Sequence, residues 1–151
     1  MLNELEEVFE LANNTTSLIA DTMKLTNCNN GTGDFAPIGN SDNWARIASS
    51  DNWVQIGSSG DYAQIASSGD DTQIVSSGNS VQIASSSGRA QIVINGSNAV
   101  VSGIGRNTMI KGRKGTWITL AEYDEKEDPI CVESGIIDGE KNKSRYLVHS
   151  L

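Results

Sequence analysis

The chain has 151 residues and a formal charge of −8, with 37% hydrophobic residues, only 5% aromatic residues and 15 glycines. That length suits one domain, and the shortage of large side chains excludes an ordinary core of interlocking leucines and aromatics. The acidic balance disfavours direct contact with nucleic acid or anionic membranes and favours basic protein partners.

The first segment, residues 1–30, lacks any repeat. Its opening, Met1 to Glu7, is acidic where a secretory leader would be basic. No apolar run in the chain approaches the ~20 residues of a membrane span. Leu2, Leu5, Phe9, Ala12, Thr16, Ile19 and Met23 follow a 3-4 spacing that places them on one stripe of a helix, and Leu11, Leu18 and Leu25 form a second stripe. The stripe reads as a helical cap over the first coil of the repeat region. The alternative is a homodimer seam built from Leu2, Leu5, Phe9, Ile19 and Met23. Asn13 to Thr16 are poor helix formers, which allows a break into two helices. Cys28 and Cys131 lie far apart in sequence, as expected of free thiols in a reducing cytosol.

Residues 35–115 carry a nine-residue repeat. Ile38, Ile47, Ile56, Ile65, Ile74, Ile83, Ile92, Val101 and Ile110 recur without insertion or deletion. The consensus, with places numbered one to nine, is (Trp/Tyr)-Ala-Gln-Ile-Ala-Ser-Ser-Gly-(Asp/Asn). Ala-Gln-Ile alternates with period two, giving a short strand with Ala and Ile inward and Gln outward. Ser-Ser-Gly-Asp reads as a turn, with glycine as the residue free to take positive φ. Strand and turn repeated in this way make a β-solenoid, a mainly β fold in which identical residues stack coil upon coil. Two units per coil give an 18-residue turn with Gln55, Gln73 and Gln91 on one face and Arg46, Gln64 and Gln82 on the other. Three units give a triangular coil; two suit this slim core better.

Residues 116–151 read as a C-terminal β cap. Trp117 to Leu120 alternates like a last strand, and Asp124 to Asp128 is a charged turn. Pro129 to Ile137 and Arg145 to His149 read as further strands of a small meander that closes the open end.

Together, the repeat, Lys114 to Tyr123 (KGTWITLAEY) and Ile137 to Lys141 (IDGEK) resemble a group of uncharacterised repeat proteins of bacteria and their phages. That resemblance implies the solenoid and no particular activity. A looser likeness, without the matching period, is to acidic pentapeptide-repeat β-helices that mimic DNA and inhibit DNA-binding enzymes.

Catalytic chemistry finds little footing. His149 has no orienting partner in the sequence, Cys28 has no companion at metal spacing, and Gly103-Ile104-Gly105 lacks the rest of a dinucleotide fingerprint. No cofactor or metal is expected. These features point to a non-enzymatic protein-binding module of the bacterial cytoplasm. In its most concrete form it is a small phage-type inhibitor, anti-CRISPR or DNA-mimic-like, docking onto a host defence or DNA-handling complex. Trp44, Trp53 and Tyr62, with Asp51, Asp61, Asp70 and Asp71, are the candidate partner-binding residues; burial of these aromatics under the N-terminal helix is the competing account. A structural spacer and a calcium-binding β-roll are the alternatives.

Overall fold

The structure, a computed structural model, describes residues 28–30, 33–138 and 148–150. These contain strands and no helix. After β1 (Cys28–Asn30) comes a run of four-residue strands: β2 (Pro37–Asn40), β3 (Arg46–Ser49), β4 (Gln55–Ser58), β5 (Gln64–Ser67), β6 (Gln73–Ser76), β7 (Gln82–Ser85), β8 (Gln91–Ile94), β9 (Val100–Gly103) and β10 (Met109–Gly112). β11 (Trp117–Tyr123) and β12 (Pro129–Ile136) are longer, and β13 (Val148–Ser150) is short.

Strands alternate between two sheets, ordered β1-β3-β5-β7-β9-β11-β12 and β13-β10-β8-β6-β4-β2. Each repeat strand pairs in parallel with the strand two units on, so Ile47 lies over Ile65 and Ile65 over Ile83, while Ile56 lies over Ile74 and Ile74 over Ile92. The offset is 18 residues, which is the two-unit coil. The same registers set Gln55, Gln73 and Gln91 in line on one face and Arg46, Gln64 and Gln82 on the other.

The repeat folds this way because its inward places are filled for a thin interior. The strands show an exposed-buried alternation, with the isoleucine and the serine two places on both inward. Places two, four, six and eight thus face the core, and place four is the regularly large one, with Ile94 a fully buried exception at place six. The isoleucines of both sheets and the small residues between them form one continuous core. Each fully buried isoleucine contributes about 1.5–3 kcal/mol, so the ladder supplies most of the stability that large aromatic clusters supply elsewhere.

The turns depart from the expectation that glycine takes the positive φ. The left-handed residue is place one: Phe35, Trp44, Trp53, Tyr62, Asp71, Ser80, Arg89, Asn98 and Asn107 all have φ between 54° and 65°. Glycine at place eight answers a different need. A Cβ on Gly69 would sit 1.9 Å from the carbonyl oxygen of Asp51 one coil away, and one on Gly78 would sit 1.9 Å from that of Gly60.

Side chains at place nine tie the turns together. Asn43 accepts the backbone N–H of Asp61 (2.8 Å), Asn52 that of Asp70 (2.8 Å), Asp61 that of Asn79 (2.7 Å) and Asn79 that of Ser97 (3.0 Å). The Asp/Asn preference at this place is therefore a coil-to-coil hydrogen bond.

At the C-terminal end, β11 continues the first sheet beside β9 and folds back as an antiparallel hairpin with β12. The third strand of the expected meander instead crosses to the second sheet, where β13 pairs in parallel with β10. The last repeat strand of each sheet, or its continuation, is thus covered. The N-terminal helical stripe, with Leu2, Leu5, Phe9, Ile19 and Met23, lies outside the described residues.

Candidate functional site

A two-unit coil has two edges. Residues 41–45 and 59–63 join the second sheet to the first, and residues 50–54 and 68–72 join the first to the second. The candidate aromatics therefore fall on opposite edges. Trp44 and Tyr62 stack on one, with ring centroids 4.3 Å apart and planes within 7°. Trp53 lies on the other, stacked on Phe35 at 5.7 Å and 11°. Phe35 joins the candidates only through the structure, although it occupies the same place in the repeat and stands 18 residues before Trp53.

All four rings reach solvent: Phe35 is 70% exposed, Trp44 67%, Trp53 48% and Tyr62 47%. Their backbone is the costly part. A bulky residue in the left-handed region costs about 1–2 kcal/mol, and two are needed for each stack. One stacked pair returns only about 0.5–1.5 kcal/mol. Farther along the chain the same place holds Asp71, Ser80, Arg89, Asn98 and Asn107, of which Asp and Asn tolerate that conformation better.

The candidate carboxylates divide likewise, and each has work inside the solenoid. Asp51 accepts the N–H of Gly33 (2.7 Å) and Asp70 that of Gly88 (3.1 Å). Asp61, on the Trp44–Tyr62 edge, accepts both the backbone N–H and the side-chain amide of Asn79 through Oδ1. Asp71 follows Phe35 and Trp53 in their column and is held by Arg89 one coil on, whose Nε and Nη2 donate to its two oxygens at 2.8 and 2.6 Å. This fork holds the Asp71 carboxyl below the usual carboxylate range, with the hydrogen bond from Arg89 as the main cause.

The remaining surface has other textures. On the outer face of the first sheet, Ala48, Ala66 and Ala84 floor a shallow trough between the glutamine column and Ser50, Ser68 and Ser86. Inside, Ser67, Thr72 and Ser87 form a buried hydroxyl cluster, in which Thr72 donates to the carbonyl of Gly69. Near the hairpin, Arg106 pairs with Glu127 of the charged turn.

Among the described residues, no group of three or more His, Cys, Asp or Glu side chains could hold a metal ion, and no helix is long and apolar enough to cross a membrane. Cys131, a free thiol, is half-buried on β12. No protein-family model matches the chain, and neither a curated protein nor a solved structure matches it.

Proposed function

We propose that this chain is a non-enzymatic protein-binding module that works in the cytoplasm of a bacterial host. Its most concrete form is a small acidic phage-type inhibitor docking onto a host defence or nucleic-acid-handling complex. The observation that carries the reading is the pair of exposed aromatic stacks on strained backbone at the N-terminal end of the coil stack. Bulky rings kept at a left-handed, solvent-facing place, where three of the five later units carry Asp or Asn, support a role in recognition. Large, rigid aromatic side chains are also the usual anchors of protein interfaces. The charge of −8 and the likeness to phage repeat proteins favour a basic, nucleic-acid-handling partner over a neutral one.

The test is affinity capture from a bacterial lysate with the intact chain beside a Trp44→Ala, Trp53→Ala double variant of unchanged thermal stability. The reading expects a nucleic-acid-handling complex on the intact chain and its loss on the variant. Identical captures by both, or none by either, would overturn it.

A structural spacer is the second reading, favoured by the unbroken coil-to-coil register of both sheets. Light scattering decides between them. Discrete particles support the binding module, while long assemblies favour the spacer. The calcium β-roll has less support, since among the described residues no group of three or more His, Cys, Asp or Glu side chains could hold a metal ion.

A further inference from the structure

The column of place-one side chains on the Trp44–Tyr62 edge continues with Ser80 and then Asn98. Trp44 covers one face of the Tyr62 ring. Stacking in register along the axis turns the other face toward the next coil, where Ser80 carries only a hydroxymethyl group. On the opposite edge the chain fills the equivalent levels itself, placing Asp71 and then the guanidinium of Arg89 beyond Trp53. Among the described place-one side chains of the Trp44–Tyr62 edge none is a cation, and Arg113 and Lys114 join that edge only beyond the Asn98 level.

A carboxylate stands beside that platform. Asp61 precedes Tyr62 and commits only Oδ1 to Asn79; no described residue bonds its Oδ2. One coil's rise is about 4.7–4.9 Å, close to the separation of stacked planar groups, so a flat guest at the Ser80 level would lie against the ring. A guanidinium is planar, positively charged and able to donate to a carboxylate while stacked.

We infer that Tyr62 and Asp61 receive an arginine side chain of the protein partner, its guanidinium lying on the ring at the Ser80 level and donating to Asp61. This rests on the protein-binding reading and adds the chemistry of what is bound. A lysine ammonium would gain the charge term without the stacking, so the site distinguishes the two cations.

The probe is a fluorescently labelled octa-arginine peptide, with octa-lysine beside it, followed by anisotropy at about 0.15 M salt, where general attraction to the acidic surface is screened. The intact chain should bind octa-arginine about five- to tenfold tighter than octa-lysine. Tyr62→Ala should abolish that preference, and Tyr62→Phe should retain it, which separates loss of the ring from loss of the fold. Ser80→Arg fills the level from within the chain and should also abolish it. Ser86→Arg makes the same charge change on another surface and should not. Equal affinities for the two peptides on the intact chain, or a Ser80→Arg variant that behaves like Ser86→Arg, would overturn the inference. Either result beside an aromatic-dependent capture from lysate sinks the arginine site alone. A site that passes beside captures unaffected by Trp44→Ala and Trp53→Ala leaves the site standing and sinks the wider reading.

Discussion

Two glycines of the repeat have opposite reasons to exist. Gly69 lies where a methyl group would collide with the backbone of Asp51, whereas a Cβ on Gly57 meets nothing nearer than 4.0 Å, the carbonyl oxygen of Ile38. Gly69→Ala must therefore push two coils apart and is expected to cost more than about 3 kcal/mol. Gly57→Ala is expected to be neutral or to stabilise by up to about 1 kcal/mol, because alanine fits the exposed strand place and restricts the unfolded chain. Denaturant melts of the two variants check the contrast, and equal midpoints would contradict it. The Asp71–Arg89 fork gives a second residue-scale prediction. A carboxyl held low when folded contributes stability that is complete above its unfolded pKa and lost as pH falls through the folded value. Arg89→Ala should raise the Asp71 midpoint toward the ordinary carboxylate range in an NMR titration of side-chain carboxyl carbons. An unmoved midpoint would mean the fork is not held in solution.

Among elements, the strands were the most legible part of the sequence. Isoleucine every nine residues, with alternation around it, fixed both the strand and its inward face, and the slim interior pointed to two units per coil. The turns were harder to read, because glycine is the habitual left-handed residue. The better signal was place one, where Asp71, Asn98 and Asn107 share a tolerance that the aromatics at its start concealed. The same feature hid the site: with 18 residues per coil, Trp44 and Trp53 cannot share an edge, and Phe35 must accompany Trp53. β13 escaped because three residues carry too little periodicity to say which strand they join. A direct test of the strand is to compare Ile74→Ala with Gln73→Ala. Ile74 is fully buried and Gln73 exposed. The first should cost about 2–5 kcal/mol and the second less than about 0.5 kcal/mol. Comparable losses would refute the inward ladder.

At the scale of the molecule, a solenoid must solve the problem of its ends. Stacked parallel strands present unpaired N–H and C=O groups at the last coil, and identical coils are natural templates for one another. Here the solution at the C-terminal end is asymmetric: the first sheet closes with an antiparallel hairpin, and the second with the short returning strand β13. The hairpin is also pinned sideways, since Arg106 pairs with Glu127 and the Tyr123 hydroxyl donates to the carbonyl of Ile104. A chain ending at Tyr123 keeps every repeat but loses both closures, leaving β10 and β11 as open edges in register with what another copy could offer. It should fold and then associate end to end, with light scattering rising with concentration while the intact chain stays discrete. The antiparallel return of β12 changes the hydrogen-bond pattern at the end of the stack, so an incoming parallel coil finds no matching template. If the shortened chain stayed as discrete as the intact one, the closure would lie elsewhere, and the C-terminal segment would have to be explained by packing rather than by protection of an edge.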